Sequence, residues 1–164
     1  MSFAFCPRDG TRLEARHIDG RLRPACPTCG FADFRHVQIG ANTIVERDGQ
    51  VLLIRLAYGP REGHWALPGG MVESDESLEQ AALRETQEET GFEVALDGLV
   101  TTWIRPGFDL LVLVYRAHVL RGELKLPPEE ASEGRWFPRN ALPPIHELAW
   151  PSHAHGLATW LATS

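Results

Sequence analysis

Residues 77–92, Ser-Leu-Glu-Gln-Ala-Ala-Leu-Arg-Glu-Thr-Gln-Glu-Glu-Thr-Gly-Phe, constrain the fold more than any other segment. Ser77 with Gln80 three residues later forms a capping box, and Gly91 is a natural helix stop, so the segment reads as one helix. Leu78, Ala81 and Ala82 make an apolar stripe that another layer must cover. Glu85, Glu88 and Glu89, at i, i+3 and i+4, continue that same stripe, so a face that begins as core ends in three carboxylates. Like charges at this spacing cost a helix about 0.2–0.5 kcal/mol per pair. The helix C-terminus also disfavours anions, and only Arg84, four residues before Glu88, offers an opposite charge. Most charge runs are solvated faces, but continuity with the apolar stripe and the unfavourable end of the helix argue for a positive occupant. Clustered carboxylates suit a hard, oxygen-preferring cation such as Mg²⁺ or Mn²⁺.

Around this helix the pattern is that of strands. Residues 37–46 and 51–58 are β-branched or apolar runs separated by Asp48-Gly49, a strong hairpin signal. A short segment, Trp65-Ala66-Leu67, leads into Pro68-Gly69-Gly70. Strands are expected again at 99–104 and 110–120, a loop at 126–133 with Pro127-Pro128, and a short strand at Arg135-Trp136-Phe137. Residues 153–162 read as a terminal helix packing Leu157, Trp160 and Leu161 inward. The expectation is a mixed α/β domain over residues 36–164 behind a distinct segment, residues 1–35.

Composition excludes several classes. The 164 residues are 43% hydrophobic and 23% charged, ordinary globular values. No apolar run approaches the roughly 18 residues of a membrane span. The N-terminus lacks the basic-then-apolar pattern of a secretory signal, which gives a cytoplasmic expectation. A net charge of −6 gives no general attraction for nucleic acid or anionic membrane, so neither is expected as a partner. A phosphate-bearing ligand would need a local device to overcome that average repulsion.

Residues 1–35 hold all three cysteines in a small internal repeat, Cys6-Pro7-Arg8-Asp9-Gly10 and Cys26-Pro27-Thr28-Cys29-Gly30. Each copy aims two side chains at one centre and closes on a glycine. Between them, residues 13–23 are expected as two short strands turning at Asp19-Gly20. Cysteines so spaced, without a signal peptide, read as metal ligands before disulfides. Cys6, Cys26 and Cys29 with Asp9 as a harder fourth ligand make a chemically reasonable structural Zn²⁺ site; His17 or His36 are alternative fourth ligands.

The spacing Gly70-x5-Glu76-x7-Arg84-Glu85-x-x-Glu88-Glu89-x-Gly91-Phe92 matches the Nudix box at every fixed position, and the approach Gly63-His64-Trp65-Ala66-Leu67-Pro68-Gly69 also resembles that family's. Thr86 stands where the family usually has an aliphatic residue, a mild change at a site expected to be half-buried. The resemblance implies a Nudix α/β/α sandwich and hydrolysis of a nucleoside diphosphate linked to another group. It implies Mg²⁺ held by Glu85, Glu88, Glu89 and the Gly70 carbonyl, with Arg84 orienting the glutamates and Glu76 in support. Glu130 or Glu133 is a candidate further acid. Trp65, Trp103, Arg105 and Phe108 are candidate substrate contacts.

A zinc-ribbon-like knuckle ahead of the box resembles NADH pyrophosphatases and some ADP-ribose or FAD pyrophosphatases. The NADH type carries Ser-Gln-Pro-Trp-Pro-Phe-Pro downstream; residues 99–111 here, LVTTWIRPGFDLL, lack it, which lowers that assignment. Pro106 lies near a proline of the ADP-ribose type. The competing class is a non-catalytic Nudix module that senses a nucleotide or binds a partner. A homodimer is compatible with the sequence.

Overall fold

The computed structural model describes residues 3–34, 36–104, 107 and 109–163. The chain forms two compact units, residues 1–37 and 38–164.

In the first unit, β1 (Glu14–Ile18) and β2 (Arg21–Ala25) form an antiparallel hairpin. Asp19 (φ 51°) and Gly20 (φ 73°) turn it, the left-handed pair that a two-residue hairpin loop requires.

The second unit is built on β3 (Gln38–Arg47), β4 (Gln50–Leu56), β5 (Trp65–Ala66), β6 (Gly69–Met71), β7 (Phe92–Ile104), β8 (Leu110–Gly122) and β9 (Ala131–Pro138). Two helices, α1 (Leu78–Thr90) and α2 (Pro151–Ala162), complete it. Asp48 and Gly49 turn the β3–β4 hairpin with positive φ, as the sequence predicts. The two strands pair only at Glu46–Val51 and Arg47–Gln50. Beyond that β3 pairs with β6 and, in parallel, with β8, whereas β4 pairs with β5 and β9.

The β8 strand is covered on both faces. Val112 and Val114 join the cluster that includes Leu157 and Trp160 of α2; Leu113 and Tyr115 join the one that includes Ala81 and Ala82 of α1. Alternation along a single strand thus builds two cores with a helix on each side, and the α/β expectation holds. Gly156 brings α2 close, since a Cβ there would sit 3.1 Å from Val114.

The caps of α1 are those read from the sequence. Ser77 and Gln80 form the capping box, and Gly91, with φ of 75°, is left-handed and donates to the Gln87 carbonyl. Several boundaries differ. The strand expected at 99–104 begins at Phe92, because bulges break its alternation and its polar residues are paired across to β8, Glu93 with Arg121 and Asp97 with His118. The loop expected at 126–133 ends early, since Ala131 pairs with Leu56 and is buried. Leu161 is 41% exposed rather than packed inward. The inward stripe of α2 is His153, Gly156, Leu157 and Trp160, all buried.

Thr86 is fully buried, not half-buried. Its hydroxyl donates to the Ala82 carbonyl at 2.7 Å and lies 2.7 Å from the hydroxyl of buried Thr43. A threonine is accommodated at an apolar position because both of its polar contacts are supplied inside.

Candidate active site

The α1 helix and β6 define the site. Gly69 has φ of 143°, and a Cβ there would lie 2.3 Å from the Ala41 carbonyl oxygen, so only glycine fits beside β3. Its N–H donates to Glu89 Oε2 at 2.8 Å. At Gly70 a Cβ would sit 2.5 Å from the Glu85 carboxyl. Gly70 clears the space that the Glu85 carboxyl occupies, and Gly69 lets β6 approach β3 while its N–H holds Glu89.

Arg84 organises the other carboxylates. Its guanidinium donates to both oxygens of Glu76, from Nε at 3.0 Å and Nη2 at 2.6 Å, and to Glu85 at 2.7 Å and Glu88 at 3.1 Å. It also reaches the Met71 carbonyl at 3.2 Å, which ties the helix to the end of β6. The Arg84 hydrogen bonds, followed by the Glu73 N–H, hold the Glu76 carboxyl down to about 2. A planar fork suits this multipoint bonding, which an ammonium cannot match.

Charge at the centre is under-compensated. Burial pushes Glu89 up to about 8; the Gly69 N–H opposes the shift, while Glu85, Glu130 and Glu88 add to it. Burial also raises Glu85, against the pull of Arg84 and with Glu88 and Glu130 adding. The Glu130 charge thus reaches the cluster. Glu133 does not join it: it pairs with Arg135 at 2.5 Å and Arg55 at 3.7 Å. Glu85 and Glu88 are drawn to Arg84 and Glu89 to Gly69, so their oxygens do not close within 4.8 Å of one another. The donor set, all hard oxygen beside a glycine strand with two of its carboxyls raised chiefly by burial, fits a divalent cation.

A cavity of about 470 Å³ opens beside Gly69, Gly70 and Met71. Trp103, Leu110 and Val112 line it, with Trp150, Arg61 and His153. Of the expected substrate contacts, Arg105 and Phe108 lie outside the described residues, as does Pro106. Trp65 is a core residue, 4% exposed and edge-on to Phe137 with ring centroids 4.9 Å apart. A large aromatic on a buried strand packs before it binds. Trp103 does line the cavity. Arg61, Trp150 and His153 were not anticipated, because they converge from separate segments and share no local spacing; the one signal was an aromatic directly before Pro151 at a helix start.

In the first unit, Cys6, Asp9, Cys26 and Cys29 have ligand atoms all within 4.8 Å of one another. Sγ of Cys6 and Cys29 are 3.5 Å apart, and Cys26 Sγ is 3.4 Å from Asp9 Oδ2. The repeat is geometric as well: Gly10 and Gly30 share φ of 74°, and each donates to the carbonyl of its cysteine. Backbone N–H groups of Arg8 and Cys29 point at Cys6 and Cys26 Sγ, both at 3.4 Å. The Thr11 N–H holds Asp9 well below the usual carboxylate range, keeping it anionic. His17 and His36 are outside this group. The three thiols are free, and soft sulfur with one carboxylate in this compass fits Zn²⁺.

The fold, the glycine strand and the carboxylate helix define a Nudix protein, and the NUDIX domain family profile matches residues 34–160; the chain belongs to that family. Among curated relatives it is 33% identical over 143 residues to the NAD-capped RNA hydrolase NudC of Pseudomonas aeruginosa, covering 86% of this chain and 50% of that protein. It is 34% identical over 116 residues to the ADP-ribose pyrophosphatase of Methanocaldococcus jannaschii, covering 68% of each. The chain thus spans about half the length of the NudC relatives it matches. A NUDIX hydrolase of Nitrosomonas europaea superimposes with a TM-score of 0.85 at 27% identity, over 98% of this chain and 91% of that one. No helix among the described residues is long and apolar enough to cross a membrane.

Proposed function

We propose that the chain hydrolyses the pyrophosphate bond of a nucleoside diphosphate linked to a second group, with a divalent cation held by Glu85, Glu88, Glu89 and the Gly70 carbonyl. The observation that carries this reading is the meeting of β6 and α1, where Gly70 leaves room for the Glu85 carboxyl and nothing larger. Mg²⁺ bound there would neutralise the diphosphate and polarise a water, the local device that a chain of net charge −6 requires. Arg84, itself anchored by Glu76, fixes Glu85 and Glu88 in orientation, so the ligands need little rearrangement. Glu130, whose charge reaches the cluster while Glu133 is paired with Arg55 and Arg135, is the better candidate of the two loop acids to accept a proton from the attacking water.

ADP-ribose, FAD and NADH are the favoured substrates. The ADP-ribose pyrophosphatase and NudC relatives support that class, and the NudC name adds a capped RNA to the candidates despite the acidic surface. Turnover of these four and of nucleoside triphosphates with Mg²⁺ tests the proposal. Preferred hydrolysis of a triphosphate would overturn the substrate class. Absence of turnover across the panel would favour the non-catalytic module. Cys6, Asp9, Cys26 and Cys29 are assigned a structural Zn²⁺, with no open position for water.

A further inference from the structure

The net charge of the chain conceals an uneven distribution. Residues 1–37 carry six arginines against four acids, whereas residues 38–164 carry ten basic residues against eighteen acids. Two of the four acids serve the first unit itself: Asp9 belongs to the cysteine cluster, and Asp33 is buried and accepts the Phe3 N–H at 3.1 Å. On the hairpin the register sets Arg16 directly opposite Arg23, and Arg21 opposite Ile18. Partners across an antiparallel pair, and residues two apart along a strand, share a face, so Arg16, Arg21 and Arg23 lie together. Like charges directly opposite one another destabilise a strand pair. Glu14, on the same face, offsets this only weakly, as an exposed acid 4.0 Å from Arg16. Among the described residues Arg8, Arg12, Arg21 and Arg23 have no ion pair. The Arg23 Nε is shielded from solvent and has no hydrogen-bond partner. Such a face calls for an anion with several charge centres.

Aromatic rings are interleaved with these cations. The Arg23 guanidinium lies over Phe34, 4.6 Å from its centroid, and that of Arg8 lies over Phe31 at 5.7 Å. Phe3 meets Phe31 edge-on, with centroids 6.2 Å apart. Phe3 and Phe34 are 50% and 48% exposed, so each keeps ring surface open to a ligand. A cavity of about 430 Å³ within this unit is lined by Phe3, Leu22, Arg12 and Arg23, and it joins the two groups of rings. A lipid surface suits rings gathered into one apolar patch clear of the cations, and an acidic peptide leaves the rings without a role. Cations alternating with open rings suit a chain of phosphates that carries flat, unstacked bases.

We propose that the hairpin face of the first unit binds single-stranded nucleic acid, with Arg16, Arg21 and Arg23 on backbone phosphates while Phe34 and Phe3 stack on bases. Arg21 and Arg23, two residues apart on one strand, are separated by about 6.6 Å of strand rise, which lets them serve neighbouring phosphates rather than one. Backbone charge and ring faces are common to every nucleotide, so the surface binds without reading sequence. This function is separate from the hydrolysis proposed for the second unit and does not depend on it.

The test is fluorescence anisotropy of a labelled single-stranded RNA of about 12 nucleotides and mixed sequence, with the full chain prepared without chelator. Three phosphate contacts give a slope of about −2 for the logarithm of affinity against that of salt, so affinity should fall about 20-fold between about 50 and 200 mM salt. Arg21→Gln should bind more weakly at about 50 mM and flatten that loss to about 7-fold. Phe34→Ala should weaken binding about fivefold or more and keep the wild-type salt response. A duplex of the same length should bind less tightly, because its bases already stack on one another. Arg121→Gln removes a 77% exposed side-chain charge of the second unit and should change neither affinity nor salt response. Arg21 makes no hydrogen bond or ion pair among the described residues, so Arg21→Gln carries the test if Phe34→Ala does not fold.

No saturable binding at about 50 mM salt, a wild-type salt response in Arg21→Gln, unchanged affinity in a folded Phe34→Ala protein, or equal losses in Arg21→Gln and Arg121→Gln would overturn the proposal. So would a duplex bound as tightly as the single strand, or tighter association with anionic phospholipid vesicles or with poly-glutamate. Arg21-dependent binding of the single strand without turnover of any nucleotide substrate would refute the hydrolase reading and leave this one standing. Turnover without single-strand binding would do the reverse.

Discussion

Replacing Glu89 by glutamine separates what the carboxylate cluster does for chemistry from what it does to the fold. The Glu89 carboxyl moves from an ordinary value of 4.5 to about 8 in the folded chain, chiefly because it is buried. Between those two values the folded state holds a proton that the unfolded state has released. Stability therefore falls as pH rises from 4.5 towards 8 and is regained on acidification. At pH 7 the window already spans about 2.5 pH units, or on the order of 3 kcal/mol at about 1.36 kcal/mol per unit. Glutamine keeps the shape, and its Oε1 can still accept the Gly69 N–H. With chelator present at pH 7–8, Glu89→Gln should thus be more stable than wild type by up to about 3 kcal/mol, roughly 10 °C in melting temperature. The gap should close near pH 4.5. Glu88, with its side chain 58% exposed and bound to Arg84, should respond differently: Glu88→Gln should change stability by no more than about 0.5 kcal/mol. Both variants should lose turnover by about 100-fold or more and gain less stability than wild type from added Mg²⁺. Thermal melts against pH, with chelator and with Mg²⁺, and turnover on all three proteins make the experiment. A Glu89→Gln protein less stable than wild type at pH 8, or a gap that does not vary with pH, would refute the reasoning.

The neighbouring glycines should fail in different ways. Gly70→Ala meets only the end of a flexible side chain, so melting should move by less than about 1 kcal/mol while turnover drops about 100-fold, whereas Gly69→Ala meets backbone at positive φ and should cost about 2–4 kcal/mol. His153, lowered from 6.5 to about 4 by burial, binds its proton only in the unfolded chain within that window, so wild type should lose about 3 kcal/mol on acidification from pH 6.5 to 4. His153→Asn should remove that part of the acid sensitivity, as denaturant titrations at the two pH values will report. Protein prepared without chelator should carry about one zinc per chain by elemental analysis, Cys26→Ser should lose it while the second unit melts unchanged, and Asp9→Cys should retain it.

Much of this architecture is local, and local structure is what a sequence displays. The α1 helix is bounded by its own cap and stop, and both two-residue hairpins carry an aspartate and a glycine where left-handed backbone is required. The carboxylate cluster was legible for the same reason, since one helix sets its spacing. Three things were not. The β6 strand consists of two glycines and a methionine, with no strand propensity, and exists because β3 offers it partners. Trp65 looked like a ligand contact because it adjoins the box, yet its depth is decided by Phe137, far along the chain. The cavity joins residues from β3, β6, β7, β8, the turn at Gly59–Arg61 and the start of α2, and no periodicity relates them.

The buried hydroxyls of Thr43 and Thr86 carry an evolutionary implication. Thr86 spends its proton on the Ala82 carbonyl, so Thr43 must donate to Thr86. The dependence runs one way. Losing the Thr43 hydroxyl leaves Thr86 still bonded, whereas losing the Thr86 hydroxyl strands Thr43 in the core at a cost of about 1–3 kcal/mol. A lineage moving from this threonine towards the aliphatic residue usual at position 86 has an easy route if position 43 changes first and a fitness valley if it does not. The identity of residue 86 is thereby entrenched by a residue 43 positions away, and a scan of single substitutions would misjudge what the site tolerates.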